Sequence, residues 1–499
     1  MTVISEKNLT FVLGQKSAHK MLYPIGIQDF GNIRRNGFVY VDKTRFVYNL
    51  SHGSGKYFFL SRPRRFGKSL MVSTMEAYFS GKKELFEGLA ISDLEKDWIK
   101  YPVLRFDLTG KNYSSEESII DAIGNQLESL ERLYKVAVTS QAIDTRFKNI
   151  IDAAYAQTSR PVVILIDEYD KPIVDNLGDE TLSDSFRKQL QGFYSVMKAK
   201  DAYIKFGFLT GVTKIGKLSV FSGLNNLKDI SMDARYTDIC GISEKDLKKY
   251  FKESVRELAE ANRMSEEKCY AELTRMYDGY HFCEHAEGVY NPFSVLNTFE
   301  SGKFDNYWFE TATPSFLVRF LQRGNYNLDD ITKDSVPVSL LKGVNSERPN
   351  AITLLYQAGY LTIKGYDDKD RLYCLGYPNK EVEDSFMESL SEFYTPIDKN
   401  PGVLSAPKFV EDIRTGNVEM LMRRFTAFFA DMDYQIMGND ELYFQNTMYV
   451  MLKLMGQQVD VERHTSNGRI DVLIQTPDYV YVIELKRDQD PSNALDQIS

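Results

Sequence analysis

The sequence has few of the residues that hold metals or crosslink small folds. Its 499 residues include only four cysteines and five histidines. The cysteines, Cys240, Cys269, Cys283 and Cys374, are scattered and show no C-x-x-C spacing. Disulfide frameworks and structural zinc sites need paired or closely spaced cysteines. The sequence therefore argues against both, and it predicts reduced cysteines that serve in packing.

Long apolar runs are also missing. No stretch approaches the roughly 20 apolar residues that a membrane-spanning helix needs. The first 22 residues lack a basic region followed by an apolar one, the pattern of a secretory signal. We therefore expect a cytoplasmic protein without a membrane partner.

Positive charge is not in excess, and no sequence repeat or low-complexity linker stands out. Lys and Arg number 61 against 70 Asp and Glu, giving a formal net charge of −9. Nonspecific coating of nucleic acid depends on neutralising phosphates with basic side chains, so any nucleic-acid contact must be local. The length and the 43% hydrophobic content are sufficient for two to four domains with real cores.

One motif combines an apolar strand, a basic turn and the start of a helix. Residues 57–70 read Y-F-F-L-S-R-P-R-R-F-G-K-S-L. A phosphate-binding loop needs backbone N–H groups around the phosphates, a lysine for the β- and γ-phosphates and a hydroxyl for Mg²⁺. Gly67, Lys68 and Ser69 supply the end of that pattern, but Arg62 stands where the standard motif has its first glycine. The alternative is a basic surface loop.

A second motif strengthens the nucleotide interpretation. Residues 161–168 read P-V-V-I-L-I-D-E, a continuous apolar run of the kind found in a buried parallel strand, ending in two acids. In a nucleotide hydrolase, Asp167 would hold the Mg²⁺ shell and Glu168 would orient and deprotonate the attacking water. The alternative is a strand followed by an acidic loop. Both motifs in this order predict an ATPase core.

These motifs, with two further segments, resemble the bacterial AAA-ATPase-like family. The two further segments are Y-P-I-G-I-Q-D-F at 23–30 and Y-V-D-K-T at 40–44. The two motifs contribute R-P-R-R-F-G-K-S at 62–69 and I-D-E-Y-D-K-P at 166–172. The family has this form of the loop, so the missing first glycine agrees with the resemblance. The resemblance implies ATP and Mg²⁺ as cofactors, and members often carry a C-terminal PD-(D/E)XK nuclease domain.

The alternation of strands and helices predicts a parallel α/β sheet. Strands are expected at Tyr57–Leu60, Val103–Leu108, Val162–Asp167, Tyr203–Thr210 and Thr237–Ile242. Thr210 and Thr213, at the end of the fourth strand, fall where a P-loop ATPase keeps a polar sensor, although a hydroxyl satisfied within the strand explains them equally well. Arg235 is a further candidate for phosphate sensing, without support from its spacing.

The rest of the chain divides into three predicted regions after an ATPase core at 20–245. Ser243 with Asp246 is expected to cap a helix that opens a helical lid, 246–345. A helix containing Leu354 followed by a strand, a turn and a strand resembles a winged helix in a connector, 346–400. The last region, 401–499, is predicted to be a small α/β domain of the restriction-endonuclease type.

The last region carries a second chemical pattern. A helix over Leu442–Leu454 precedes strands at Gln458–Arg463, Arg469–Gln475 and Tyr479–Lys486, with G-R-I-D at 468–471 and I-E-L-K at 483–486. Glu484 and Lys486 share one face of a strand, so Asp471 on a neighbouring strand can join them to hold Mg²⁺ and orient water. The alternative is an edge strand with alternating charges.

The resemblance to the PD-(D/E)XK nuclease superfamily assigns these residues and one more. Glu441, on the preceding helix, matches an acidic position near the metal of such nucleases, and Gln497 matches a glutamine on the helix that follows the E-x-K strand. Residues 494–499 look like the start of that helix. We therefore expect these 499 residues to be a fragment of a slightly longer natural chain.

The sequence thus predicts an ATP-hydrolysing protein coupled to an Mg²⁺-dependent DNA endonuclease-like domain, with a homo-oligomer also possible. The alternative is an ATP-dependent switch whose C-terminal domain binds a partner and does not cut. The expected catalytic residues are Glu168, Asp471, Glu484 and Lys486. The expected nucleotide-binding residues are Arg65, Gly67, Lys68, Ser69, Asp167 and Thr210. The expected metal ligands are Ser69, Asp167, Glu441, Asp471 and Glu484.

Overall fold

A computed structural model provides the fold. It describes residues 21–221, 224, 226–308, 317, 321, 326–332, 335–342, 350–394, 406–430, 441–465 and 468–485. Among the described helices, none is both long and apolar enough to cross a membrane.

A five-stranded parallel sheet forms the centre of the N-terminal half. Its strands are β1 (Tyr57–Ser61), β2 (Val103–Asp107), β3 (Val162–Asp167), β4 (Ile204–Gly211) and β5 (Leu227–Asp229), in the order β2-β3-β4-β1-β5. β1 and β3 are buried throughout, as expected for apolar runs in a sheet covered on both faces. Because the strands are parallel, the turn after β1 and the acids that end β3 meet at the same edge of the sheet.

Helices precede and connect the strands of this sheet along the chain. They are α1 (Phe30–Arg35), α2 (Thr44–His52), α3 (Lys68–Phe79), α4 (Ala90–Leu94), α5 (Glu116–Leu133), α6 (Ile143–Thr158), α7 (Lys171–Asp175), α8 (Glu180–Ala199) and α9 (Lys217–Val220). In α8 the buried residues Phe186, Leu190 and Phe193 recur at helical spacing. The predicted α/β class is confirmed.

The predicted fifth strand is wrong. Of residues 237–242 only Ile242 lies in a strand, the short β6 (Ile242–Ser243), which pairs antiparallel with β7 (Val289–Tyr290) outside the main sheet. The chain turns here because Gly241 has φ +95°, and a Cβ on it would lie 3.0 Å from Val289. The real fifth strand has only three residues with a lysine at its centre, too short a pattern to recognise.

Four helices after β6 form a bundle with its own apolar core. They are α10 (Glu244–Tyr250), α11 (Lys252–Ala261), α12 (Glu266–Tyr277) and α13 (Pro292–Ser301). Ser243 caps α10 as predicted, since its hydroxyl accepts the Asp246 N–H at 3.2 Å and the Asp246 carboxylate accepts the Ser243 N–H at 3.1 Å. The core of the bundle contains Leu247, Phe251 and Val295.

The next segment contains a helix followed by an antiparallel hairpin, as the sequence predicts. Its elements are β8 (Ser335–Pro337), α14 (Val338–Leu341), α15 (Ala351–Ala358), β9 (Thr362–Asp367), β10 (Leu372–Gly376) and α16 (Lys380–Tyr394). The three strands form a sheet in the order β8-β10-β9. α15 ends at Gly359, whose φ of +93° is a left-handed helix cap.

The C-terminal region combines helices with a small antiparallel sheet. Its elements are α17 (Ala406–Thr415), α18 (Val418–Ala430), α19 (Glu441–Leu454), β11 (Gln458–Thr465), β12 (Gly468–Gln475) and β13 (Val480–Ile483). The sheet order is β11-β12-β13. The predicted helix and strand order is confirmed, although β13 ends before Glu484. Lys486, Gln497 and the predicted last helix lie outside the described residues.

Candidate nucleotide-binding and nuclease sites

The predicted phosphate loop connects β1 to α3. Gly67, directly before α3, has φ +91°, a left-handed conformation that glycine adopts without strain. Arg65 is also left-handed, at φ +66°. A Cβ on Gly67 would meet no atom within 4 Å, so the backbone at the start of α3 faces open space. The N–H groups of a helix N-terminus favour an anion in such a space.

Lys68 lies inside the loop. Its side chain is buried, and Nζ donates to the carbonyl oxygens of Arg62 and Pro63, each at 3.0 Å. Carbonyls are neutral, so these two hydrogen-bond partners do not themselves balance the ammonium charge. A phosphate oxygen is therefore a stronger partner for this lysine than the two carbonyls.

Arg62, which replaces the first glycine of the standard motif, points away from the phosphate side of the loop. Its guanidinium is buried and donates to the carbonyl oxygens of Ser61, Ser231, Tyr236 and Thr237. The guanidinium also lies 3.8 Å from the ring centre of Phe282. The side chain thus fixes the start of the loop to the segment after β5 and to Phe282, which precedes α13 in the chain.

The two acids at the end of β3 occupy different environments. Asp167 is fully buried, and its Oδ1 accepts the Thr210 hydroxyl at 2.5 Å. Within the described residues, its Oδ2 is buried without a hydrogen-bond partner. Glu168 is half-buried and left-handed at φ +51°. Burial raises the pKa of Glu168, and the nearby Lys68 ammonium opposes the rise. The Thr210 hydroxyl therefore orients the carboxylate of Asp167.

Asp170 is a buried acid to which the sequence analysis gave no role. Its Oδ2 accepts the N–H and the hydroxyl of Thr213, at 2.6 and 2.7 Å, and its Oδ1 accepts the Val212 N–H at 3.2 Å. It therefore fixes the chain after β4 next to the acid pair. The sequence signal for Asp170 is its position in the D-E-Y-D run at 167–170, two residues after Glu168. Arg235, by contrast, is exposed and pairs with Asp233 at 2.6 Å.

A cavity of about 250 Å³ brings the predicted nucleotide residues together. Lys68, Ser69 and Glu168 line it, with Arg65 and Phe293 at its wall. The Arg65 guanidinium lies 4.9 Å from the ring centre of Phe293, on α13 of the helical bundle. The loop, the acid strand and the bundle thus face one space. Thr210 and Asp167 are not among the residues that line it.

A second, apolar cavity of about 90 Å³ adjoins the first. The two share Pro24, Gly67, Leu70, Pro292 and Leu296 as lining residues. The second cavity lies between two apolar cores, because Phe66 and Cys240 belong to the core of the sheet, whereas Ile242 and Phe251 belong to the core of the bundle. Ligand cavities favour such boundaries between packed units.

In the C-terminal sheet, the strand register places Asp471 beside Glu484. Val472 of β12 pairs with Ile483, the last residue of β13. Asp471 directly precedes Val472 and Glu484 directly follows Ile483, so the antiparallel register brings the two acids together. Asp471 is buried, and its Oδ2 accepts the Leu485 N–H at 2.8 Å. Lys486 lies outside the described residues, as does the side chain of Glu441. The described part of this site is therefore a pair of neighbouring carboxylates.

The residues present fit a divalent cation at both places. Mg²⁺ prefers oxygen donors. One is the buried Asp167 Oδ2, which has no hydrogen-bond partner in the part of the chain that the structure describes. Another is the hydroxyl of the half-buried Ser69, which follows Lys68 in the sequence. Asp471 on β12 and Glu484 directly after β13 are likewise oxygen donors. Among the described residues, no group of three or more His, Cys, Asp or Glu side chains forms a ready-made metal cluster.

A parallel sheet with a loop-to-helix turn after β1 and an acid pair after β3 is a P-loop-like α/β fold. The family described as "Predicted AAA-ATPase", the AAA-ATPase-like family, matches residues 24–221. The PD-(D/E)XK nuclease superfamily matches residues 439–499. The chain belongs to the AAA-ATPase-like family and carries a C-terminal region of the PD-(D/E)XK nuclease superfamily.

A bacterial relative is similar in sequence over nearly the whole chain. It is the "Uncharacterized protein in vnfD 5'region" of Azotobacter chroococcum mcd 1, 37% identical over 473 residues. The match covers 93% of this chain and 89% of the relative. The similarity therefore extends over both regions and the segment between them.

Proposed function

We propose that the chain binds and hydrolyses ATP at the cavity between the phosphate loop and the acid pair. The observation that carries this proposal is that Lys68, Ser69 and Glu168, from motifs about 100 residues apart, line one cavity. A basic surface loop would not turn its lysine inward onto its own carbonyls.

The phosphates would lie over Gly67 and the start of α3. Backbone N–H groups there donate to phosphate oxygens, and the helix dipole favours negative charge. The Lys68 ammonium, now held by two neutral carbonyls, would exchange them for phosphate oxygens. Arg65, at the wall of the cavity, adds a positive charge near the entrance.

Glu168 is suited to act on the attacking water. Burial raises its pKa, which makes its carboxylate a stronger base than an exposed one. Asp167 and Ser69 would hold Mg²⁺, which when bound neutralises developing phosphate charge. Thr210 fixes one oxygen of Asp167 and leaves the other for the metal shell.

The apolar second cavity is suited to the base. Transfer of a nucleobase ring from water to an apolar site is favourable in free energy. Phe66 and Met71 line this cavity directly behind the phosphate loop, so a nucleotide spanning both cavities would keep its phosphates at Gly67. The bound base would then contact both apolar cores.

For the C-terminal region we propose Mg²⁺-dependent cleavage of DNA. The pair formed by Asp471 on β12 and Glu484 directly after β13 supports this function, since nucleases of this class use such oxygen donors to hold the metal. The second candidate is a switch that responds to ATP and binds a partner through the same region. Metal-dependent cleavage by the intact chain distinguishes the two.

ATP binding and turnover by the full chain test the first proposal. Lys68→Ala removes the ammonium, so we expect ATP affinity to fall by about 100-fold. Glu168→Gln keeps the phosphate loop intact but removes the base, so affinity should be retained while turnover falls by roughly 100-fold or more. Fluorescent-ATP titration and phosphate release measure the two effects.

Lys56→Ala serves as the matched control. Lys56 precedes β1 and pairs with Asp201 at 2.9 Å, far along the strand from the loop. This variant should bind and hydrolyse ATP as the unaltered chain does. Equal ATP turnover in Lys68→Ala, Glu168→Gln and Lys56→Ala would refute the assigned site.

A further inference from the structure

A tryptophan from beyond the helical bundle binds the phosphate loop. The indole Nε1 of Trp308 donates to the carbonyl oxygen of Arg64 at 3.1 Å. Trp308 is buried, and its ring packs edge-on against Tyr360, with 5.2 Å between the ring centres. Because Arg64 lies in the middle of the loop, this bond fixes the direction of a peptide unit there. The orientation of that unit affects which N–H groups face the phosphates.

A single carboxylate fixes this tryptophan and the wall of the nucleotide cavity. Glu381 is fully buried, and its Oε1 accepts the backbone N–H of Trp308 at 2.9 Å. The hydroxyl of Ser294 lies 2.9 and 2.7 Å from the two oxygens of Glu381. Ser294 is on α13, whose residues Pro292 and Phe293 line the cavity. Glu381 thus links Trp308, which binds the loop, to α13, which lines the cavity.

Glu381 belongs to α16, and α16 packs against the C-terminal region. α16 and α19 are in contact along their lengths, and α19 in turn packs on β11. The Tyr443 hydroxyl of α19 donates to the Tyr394 carbonyl of α16 at 3.4 Å, and Lys453 of α19 lies 3.8 Å from Glu383 of α16. A shift of α16 therefore moves surfaces that α19 packs on.

We propose that Trp308 and Glu381 position the phosphate loop and transmit its nucleotide state to the C-terminal region through α16. This proposal rests on the proposed ATP binding. The physical reason is that the loop, the cavity wall and α16 share one buried network of hydrogen bonds. Buried networks of this kind rearrange together, because leaving one member unpaired is costly.

Trp308→Phe tests the relay with little change in packing. It keeps a ring against Tyr360 but removes the N–H that binds Arg64. The only other tryptophan is Trp98, which packs beside Tyr78 and Phe86 away from the nucleotide cavity, so Trp98→Phe is the matched control. Fluorescent-ATP titration should show affinity about fivefold to tenfold weaker in Trp308→Phe and unchanged in Trp98→Phe.

Hydrogen exchange of the full chain measures the transmission. ATP at 100 times its dissociation constant slows exchange by up to about 100-fold, but only for amides whose opening breaks the ATP site. In the unaltered chain and in Trp98→Phe, we expect amides of α19 to be slowed by ATP. In Trp308→Phe, at 100 times its own weaker dissociation constant, the amides of α19 should not respond, while those of α3 still do.

Substitution of Glu381 provides a second variant with a conservative rescue. Glu381→Ala removes the acceptor for Trp308 and Ser294, so the response of α19 to ATP should be lost. Glu381→Gln keeps an oxygen acceptor, so this variant should retain most of the response of α19 to ATP. A structural defect alone would lower exchange protection without ATP and would not separate these two variants by their response.

The outcomes separate the two proposals. If the unaltered chain does not bind ATP, the proposed function is wrong and the relay is wrong with it. If it binds ATP and α3 responds while α19 does not, the relay alone is overturned. An α19 response in Trp308→Phe equal to that in Trp98→Phe would also overturn it.

Discussion

Two buried charges near the phosphate loop are stabilised by neutral polar groups. Arg62 donates to four backbone carbonyls, and Glu381 accepts the Trp308 N–H and faces the Ser294 hydroxyl. Burying a charge without such partners costs several kcal/mol. The two side chains differ in one respect, because an arginine remains charged at any physiological pH, whereas a carboxyl group can take up a proton. Glu381 is therefore the titratable member of the pair.

Glu381 makes the stability of the protein depend on pH. Burial raises the pKa of Glu381 from 4.5 to about 7, with hydrogen bonds from Trp308 and Ser294 opposing the rise and the nearby Asp305 adding to it. The folded chain holds this proton more tightly than the unfolded chain. The raised pKa therefore adds to the free energy of unfolding, and this addition is fully present below pH 4.5 and is lost as pH rises through 7. Because glutamine does not titrate, we expect Glu381→Gln to be free of this decrease in stability.

Denaturation midpoints at pH 5 and pH 8 measure this effect. Between pH 5 and pH 8, the free energy of unfolding of Glu381→Gln should rise by up to about 3 kcal/mol relative to that of the unaltered chain. The comparison removes the contribution of all other titrating groups, since they are common to both chains. Parallel pH curves for the two chains would contradict a raised pKa at Glu381.

At the scale of elements, the end of α15 meets the phosphate loop. Gly359 caps α15 at φ +93°, and a Cβ there would lie 2.6 Å from Cβ of Pro63 and 2.8 Å from its Cγ. Pro63 is rigid, so Gly359→Ala must displace the loop or the helix. We expect Gly359→Ala to lower ATP affinity about tenfold and to destabilise the fold by roughly 2–4 kcal/mol.

Gly302→Ala isolates the backbone contribution of such a change. Gly302 caps α13 at φ +70°, and the nearest atom to its added Cβ lies 3.9 Å away. This control should lose only the roughly 1–2 kcal/mol of a left-handed alanine and should bind ATP normally. ATP titration and thermal melting compare the two variants. Similar ATP affinity in both would show that the contact with Pro63 does not constrain the loop.

Elements whose signal is contiguous in the sequence were predicted well. The apolar runs of β1 and β3 and the helical pattern of α19 were found within one or two residues, because burial sets their composition directly. Lys68 and Glu168 were assigned for the same reason, since each sits in a local motif at the end of a buried strand. Their shared cavity follows from parallel pairing.

Elements whose role depends on distant contacts were missed. Trp308 binds Arg64 across 244 positions of the chain, and nothing local distinguishes it from a packing residue. Glu381 likewise lies in the first turn of an ordinary amphipathic helix. The fifth strand was missed because three residues carry no periodicity, and Gly241 ended the apolar run that was assigned in its place. Tertiary packing, which local patterns do not encode, decided all three.

At the scale of the whole molecule, two apolar cores are arranged around the proposed ATP site. The larger core extends from the parallel sheet through α15 and α16 to α19 and β12, whereas the helical bundle has a separate core. The apolar cavity lies between them, and Lys43 bridges the gap by pairing with Asp246 of α10 at 2.7 Å. A ligand between two cores stabilises their closed arrangement by mass action.

The larger core joins the proposed ATPase to the C-terminal sheet, so nucleotide is expected to affect DNA cleavage. We predict Mg²⁺-dependent cleavage of plasmid DNA by the intact chain, with Asp471→Asn lowering it by about 100-fold or more because a carboxylate proposed to hold the metal is lost. Asp471→Asn should hydrolyse ATP normally. Lys68→Ala should keep the carboxylates but lose any effect of ATP on the cleavage rate.

Asp478→Asn is the control for charge and location. Asp478 is exposed in the turn between β12 and β13, seven positions from Asp471 and outside the pair with Glu484. It should cut DNA at the unaltered rate, and chelation of Mg²⁺ by EDTA should stop both proteins. If the intact chain binds ATP but cuts neither plasmid nor linear DNA with Mg²⁺, the C-terminal region is not a working nuclease. The partner-binding switch then becomes the better account, because the relay through α16 needs no cleavage to carry a signal.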